Sequence, residues 1–341
     1  MSQWRLAFIF SMSKPRHPPV WVKLQLSNNN ELTDIPLDDK LLGNVWGGIF
    51  FHPAFVSISA KILGLNGSPQ YLFADGKAIL ALNLITHKRP VRVSTLPNLY
   101  QYFGILPINS EIFGKGNILE VDNVFDRFLD YAYFSLTPEI NAQIGNFAGW
   151  RTNKIANLIL DKDGILNWGS DFLYMVRKQI KKARNNQIEI AEIDYFPKNI
   201  WKKSFERKGL KTPLSPEKLE QWCQALLREN SLKIFAAKIN GEILAFRGQL
   251  IQNKFAYDWV AGSNPEFNTT GGNQLLMAEI GDYLRAHNII LWDLLGGQIK
   301  GIADFKRSFG AKDIFHYHIS KCFSLTGNIY NILRKVRHGW R

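Results

Sequence analysis

The chain has 341 residues, 46% of them apolar, including 23 Phe, 11 Tyr and 10 Trp. At roughly 100–200 residues per domain this length predicts two domains, and the aromatic content excludes a wholly disordered chain. Its 42 Lys and Arg against 29 acidic residues give a net charge of +13, a surface that attracts anionic partners such as nucleic acid, nucleotides or an anionic bilayer.

Pro15, Pro18 and Pro19 break any helix near the start of the chain. Residues 53–63 (PAFVSISAKIL) predict a short helix. Residues 71–85 hold two apolar runs around Asp75-Gly76, a hairpin signal because both turn residues tolerate positive φ. A third strand is predicted at 91–96. Residues 122–136 carry apolar side chains at helical spacing behind Asp122, which predicts a helix with Asp122 as its N-cap. A strand over 155–160 and a basic helix over 170–185 follow. Ser215-Pro216 reads as an N-cap with proline at N1, opening a helix whose stripe is Leu219, Trp222, Cys223 and Leu226. Residues 232–251 repeat the hairpin grammar around Asn240-Gly241. A strand over 254–262, a helix over 270–287 and a strand over 288–294 imply a parallel crossover, and hairpins are antiparallel, so the sheet is mixed. A short helix over 302–309 and a strand over 314–319 complete the pattern. The two similar hairpins, each with a third strand and a later helix, point to a duplicated α/β unit.

Four places can carry chemistry. The segment before the 270–287 helix ends in Thr270, Gly271, Gly272 and Asn273. A helix N-terminus presents unpaired amides to an anion; an ordinary cap with a glycine pair is the plainer reading. Lys306 lies between Phe305 and Phe309, which are four apart and anchor one helix face. It therefore points to a cleft, where an ammonium stabilises an oxyanion, or to solvent. Arg177, Lys178, Lys181, Lys182 and Arg184 crowd like charge onto one helix, which suits either an anionic partner or a solvated face. Asp258, flanked by Tyr257 and Trp259, alternates to the opposite side of its strand. It serves as a base if its pKa is raised, or as a structural hydrogen-bond acceptor, and Asp293 has the same two readings.

His316 and His318 share a strand face without an obvious third ligand, so no metal site is expected. Cys223 and Cys322, the two cysteines, form no Cys-x-x-Cys pattern and fit a reduced compartment. The apolar stretch Leu6–Phe10 is too short for a signal region, and no run of about 18 apolar residues exists. The expectation is a cytoplasmic protein. The basic end, with Arg334, Lys335, Arg337 and Arg341, reads as a frayed tail that adds attraction to RNA or to anionic lipid, through peripheral contact at the inner membrane face.

With these stretches in order, residues 50–323 resemble the FemABX-type branch of the GNAT superfamily. The carrying segments are HPAFVSISAKILG, the two hairpins, IKKARNNQIEI, FERKGLKTPLSPEKLEQW, GGNQLLMAEIGDYLRAHNIILWDLLGG and IADFKRSFGAKDI. The resemblance implies an α/β fold of two tandem GNAT-like domains, taken here as 1–150 and 151–323 with a basic tail at 324–341. It implies an acyltransferase, moving an acyl or aminoacyl group to an amine or hydroxyl of a cell-envelope or polysaccharide precursor. The Phe-Lys-x-x-Phe motif places Lys306 near the donor carbonyl, with Asp258 or Tyr257 handling the proton. Arg177, Lys181 and Lys182 become anionic-substrate contacts, and Thr270, Gly271, Gly272 and Asn273 the donor site. The Arg/Gln-x-x-Gly-x-Gly/Ala loop of acyl-CoA users is not found at 265–273, and the helical arm of some tRNA-using members is also missing. The donor stays open between acyl-CoA and aminoacyl-tRNA, with tRNA as a partner in the second case. A non-catalytic protein that binds an anionic nucleotide-sugar or glycan precursor is the alternative.

Overall fold

The computed structural model describes residues 42–64, 70–74, 78–82, 85–88, 91–107, 125–126, 129–147, 149–207, 209–267 and 269–338. The chain divides into two compact units, the first made of residues 1–155 and 316–341, the second of 156–315. Both are mixed α/β.

In the first unit, helix α1 (Pro53–Leu63) opens on Pro53 behind His52, whose ring Nδ1 accepts from the Ala54 amide at 3.3 Å. Strands β1 (Gln70–Ala74) and β2 (Ala78–Leu82) form the antiparallel pair expected around Asp75-Gly76. Strand β2 then pairs with β5 (Ile105–Pro107) rather than with the next strand, making a separate three-stranded sheet. Strands β3 (Ile85–Lys88) and β4 (Val91–Thr95) are antiparallel, β4 runs parallel to β6 (Tyr131–Ser135), and β6 is antiparallel to β13 (Lys312–Cys322) over its 318–322 half.

The helix expected over 122–136 is corrected in its second half: residues 125–126 are helical, but residues 131–135 are strand β6. All but Tyr133 in this strand are buried. A strand buried on both faces is a continuous apolar run, which matches a helical template as well as a strand one. Asp122 lies outside the described residues. The residues read as a tail form helix α8 (Leu325–His338). Phe50, Phe55, Tyr100 and Phe103 pack edge to face or tilted, with ring centroids 5.1–6.1 Å apart, and this aromatic cluster supplies much of the first unit's core.

The second unit is one sheet in the order β7 (Arg151–Leu160), β12 (Leu291–Asp293), β11 (Phe255–Ser263), β10 (Glu242–Gln252), β9 (Leu232–Ile239), β8 (Glu189–Ile193). All neighbours are antiparallel except β11 and β12, which the crossover helix α6 (Gly272–Ala286) joins in parallel. The β9–β10 turn uses Asn240 at φ 49° and Gly241 at φ 82°, as the Asn-Gly pair predicts. Helices α2 (Lys162–Leu166), α3 (Tyr174–Asn185), α4 (Lys198–Glu206), α5 (Pro216–Arg228) and α7 (Lys300–Arg307) surround the sheet.

Ser215 caps α5, its hydroxyl accepting from the Lys218 amide at 3.3 Å, and Leu219, Trp222, Cys223 and Leu226 are buried as their spacing predicts. The ring of Trp222 meets Trp259 of β11 at 5.1 Å. A second core joins Trp168, Phe172, Ile180, Leu276, Ile280, Trp292 and Phe309. Each fully buried side chain of this size contributes about 1.5–3 kcal/mol relative to exposure. The Trp168 indole also donates to the Ala278 carbonyl at 2.9 Å, which locks α6 against the segment after α2.

Candidate active site

Strands β11 and β12 pair for only three residues, Phe255–Tyr257 with Leu291–Asp293. Asp258 is the next residue on β11, so its side chain sits where the parallel ladder ends. At the same level β10 and β11 shift register between Gly248 and Gln249, so that Gly248 faces Val260 and Gln249 faces Asp258. A bulge of this kind leaves one residue unpaired and re-aims its neighbours.

Asp258 is buried and receives three donors. Arg247 Nη1 lies 2.5 Å from Oδ2, Lys306 Nζ 3.1 Å from the same oxygen, and Gln249 Nε2 donates to Oδ1 at 2.9 Å. Burial works to raise the carboxyl pKa, but the Arg247 and Lys306 cations outweigh it and hold Asp258 below the usual carboxylate range. A general base needs the opposite shift. The geometry therefore favours the structural reading of Asp258, an anion that fixes two buried cations, over that of a base.

Lys306 is only 4% exposed, which removes the solvated reading. Phe305 and Phe309 stack in the core as a tilted pair at 5.1 Å and turn Lys306 inward. Its ammonium donates to Asp258 and to the carbonyls of Leu294 and Leu295, the latter at 3.2 Å. Burial lowers its pKa against the attraction of Asp258, and repulsion from the Arg247 charge lowers it further.

Arg247 is the residue that sequence reasoning missed. It is 5% exposed, its guanidinium carbon lies 5.2 Å from the Phe305 ring centroid, and its Nε donates to the Asn273 side chain at 3.3 Å. It thus links the first turn of α6 to the Asp258–Lys306 pair. Gln249 extends the chain of contacts by accepting from the Trp292 indole at 2.8 Å. The available signal was Arg247 and Gln249 two apart in an otherwise apolar strand (LAFRGQLI), which puts both on one face. Asp293 accepts from Asn157 at 2.8 Å and from the Leu295 amide at 3.1 Å, the structural reading of that residue. Tyr257 is fully buried beside Asp258 on β11, directed to the other side of the strand.

At the start of α6, Thr270 Oγ1 accepts from the Gly272 amide at 3.3 Å. Gly271 has φ 82°, and a Cβ there would lie 2.2 Å from the Gln179 carbonyl oxygen of α3. Its missing side chain is thus used by helix–helix contact. Helix α3 carries the other predicted residues. Lys182 Nζ donates to the Thr269 carbonyl at 2.9 Å, tying the basic helix to the segment before α6. Arg177 and Lys181, with Arg184, line a surface hollow of about 420 Å³ that Trp168, Phe172 and Ala278 also line. Lys306, Asp258 and Arg247 do not line it. The structure therefore joins Asn273 to Lys306 and Asp258 through Arg247, joins Lys182 to the α6 entry, and places Arg177 and Lys181 in a separate hollow. Among the described residues no group of three His, Cys, Asp or Glu can hold a metal ion.

The family profile of the acetyltransferase (GNAT) domain matches residues 171–307, the segment that holds Arg247, Asp258, Asn273 and Lys306. Residues 171–307 are a GNAT-type domain. No curated protein matches the chain in sequence. Among solved structures, FemX is similar over 91% of this chain and 99% of its own, with a TM-score of 0.64 at 11% identity. L-PGS from Bacillus licheniformis is similar over 82% of this chain and 95% of its own, with a TM-score of 0.51 at 14% identity. A C-terminal domain from Agrobacterium fabrum, proposed as that of a lysylphosphatidylglycerol synthetase, covers 82% of this chain and 94% of its own, with a TM-score of 0.51 at 12% identity. At these identities the likeness is one of fold: the chain has a FemX-like fold.

Proposed function

We propose that the chain is an acyl- or aminoacyl-transferase, with an acyl-CoA or an aminoacyl-tRNA as donor and an amine or hydroxyl of a cell-envelope or polysaccharide precursor as acceptor. The observation that carries this reading is the buried Lys306 ammonium, held beside the point where β11 and β12 stop pairing, within a GNAT-type domain. A positive group fixed in a dry site stabilises the oxyanion of a tetrahedral intermediate without reorganising. The acceptor forms the new C–N or C–O bond. The thioester C–S or tRNA ester C–O bond breaks, and the proton lost by the acceptor balances the one gained by the leaving thiol or ribose hydroxyl.

Lys306 already has three acceptors. In this reading the Leu295 carbonyl, the longest of these contacts at 3.2 Å, is exchanged for the donor oxygen. Asp258 and Arg247 are positioning residues that set the direction and charge of Lys306. Asn273 couples the α6 entry to this pair, and Arg177, Lys181 and Lys182 attract the anionic part of a substrate. The buried contact between Gly271 and α3 favours a donor held by side chains over one cradled on the Gly271-Gly272 amides.

The completeness of the hydrogen bonding around Lys306 favours a second reading, a non-catalytic protein of the same fold that binds an anionic nucleotide-sugar or glycan precursor. The two are separated by a single-turnover assay with radiolabelled acetyl-CoA, longer acyl-CoAs and a charged tRNA pool, offered with amino-sugar and peptide acceptors. Transfer of label from any donor supports the first reading. Saturable binding of precursor without transfer from any donor supports the second.

A further inference from the structure

Helix α8 is amphipathic in the reverse sense. It packs on the first unit through small and polar residues and through the Tyr330 ring, whose centroid lies 5.5 Å from that of Tyr131. A Cβ on Gly327 would fall 1.8 Å from the Asp130 carbonyl oxygen, so the backbones touch there. Ser324 and Thr326 donate to the Asp130 carboxylate at 2.7 and 3.2 Å. Arg334 donates to the Tyr131 hydroxyl at 3.2 Å and lies 4.5 Å from the Tyr133 ring centroid. Residues 327, 331 and 334 thus form the docked stripe, with Gly327 and Asn331 buried.

The opposite stripe is apolar and open. Leu325 is 77% exposed, Ile329 52%, Ile332 61%, Leu333 62% and Val336 72%. Their spacing of i, i+4, i+7, i+8 and i+11 puts them on one face of the helix. A contiguous exposed apolar face of this kind marks an interaction site.

The charge around the face selects its occupant. From residue 314 to residue 341 the sequence has no Asp or Glu, and beyond the docked Arg334 it continues with the basic residues Lys335, Arg337 and Arg341. A second copy seated face to face would bring these cations against their own kind. An anionic lipid surface is complementary to both the apolar stripe and the basic flank. The helix has 14 residues, about 21 Å at 1.5 Å per residue. That is too short to cross a bilayer, and among the described residues no helix is long and apolar enough to do so. A helix with these properties lies in the plane of the interface.

We infer that the exposed face of α8 rests on an anionic phospholipid surface. The inference is independent of the acyl-transfer reading, since it rests on the first unit alone. The test is co-sedimentation of the full chain with phosphatidylglycerol-containing vesicles and with pure phosphatidylcholine vesicles. The expected result is at least about tenfold stronger binding to the anionic vesicles, reduced by high salt and lost by at least about tenfold in the Ile329→Asp/Leu333→Asp double variant. Both side chains point away from the core, so the variant keeps the wild-type melting temperature. Failure to bind the anionic vesicles overturns the inference, as does equal binding by the double variant. So does a wild-type dimer that ignores vesicles and that the double variant turns into a monomer, because the face is then a contact between copies.

Discussion

Replacing Asp258 by Asn removes one buried negative charge and keeps the side-chain shape. In the wild type that carboxylate faces Arg247 at 2.5 Å and Lys306 at 3.1 Å, and all three side chains are at most 6% exposed. Deleting one member of a buried ion pair leaves uncompensated charge and costs about 3–5 kcal/mol. Arg247 retains Asn273, and Lys306 retains two carbonyls, so the lower end, about 3 kcal/mol, is expected. At roughly 2–4 °C per kcal/mol this lowers Tm by about 6–12 °C. Differential scanning calorimetry with parallel urea unfolding reads both quantities. The control is Asp304→Asn, whose ion pair with Arg307 at 2.9 Å is about half exposed and whose loss costs no more than about 0.5 kcal/mol. The variant also has a pH signature. Lys306 has a folded pKa below its unfolded value, so the unfolded chain binds the extra proton between the two. In Asp258→Asn the attraction that opposes this shift is gone, so its stability deficit against wild type narrows as pH rises through that window, the other titrating groups cancelling in the comparison. A loss below about 0.5 kcal/mol, or a deficit that widens with alkaline pH, refutes the buried network.

Gly271→Ala puts a Cβ into the Gln179 carbonyl at a positive φ; the left-handed backbone and overpacking together cost about 2–4 kcal/mol, seen by urea unfolding without any ligand. Burial and the neighbouring His318 pull His316 down to about 3, and its Nδ1 has no hydrogen-bond partner among the described residues. Its folded pKa lies below the unfolded 6.5, so stability is full above pH 6.5 and is lost as pH falls towards 3. Between pH 6.5 and 4 wild type should lose on the order of 3 kcal/mol more than His316→Gln, at about 1.4 kcal/mol per pH unit, measured by denaturant titration at each pH. Glu139, raised to about 7 by burial, slopes the other way in both proteins and cancels in the comparison. Arg177→Ala/Lys181→Ala removes two of the three cations that line the hollow beside α3. It should raise KM for the anionic substrate roughly tenfold, with kcat and Tm unchanged, since exposed ion pairs contribute about 0.2–1 kcal/mol each.

Local chemistry was legible where one or two residues decide it. Asn240-Gly241 and Ser215-Pro216 specify their turn and cap through their own backbone preferences, and both are where expected. Residues 131–135 were misread because a doubly buried strand has no polar beat to set its period. Residues 288–294 shorten to a three-residue strand, Leu291–Asp293, because pairing partners rather than hydrophobicity fix its ends. At the site, the direction of Lys306 follows from Phe305 and Phe309 in sequence, but its burial does not. That depends on Asp258, 48 positions away in the chain, and on Arg247, whose partners Asn273 and Asp258 meet only when β10, β11 and α6 pack. The reversed face of α8 was invisible for a similar reason: helical periodicity shows two faces but not which one docks.

The central claim is that the Lys306 ammonium stabilises charge in acyl transfer. The most direct measurement is the single-turnover transfer rate of Lys306→Met and Lys306→Arg against wild type, with the fold verified by calorimetry. Loss of one oxyanion donor should slow Lys306→Met by about 10²–10³-fold while donor binding is retained. Lys306→Arg, which keeps the charge, should recover part of the rate. A Lys306→Met protein that is folded and transfers at the wild-type rate would contradict the account.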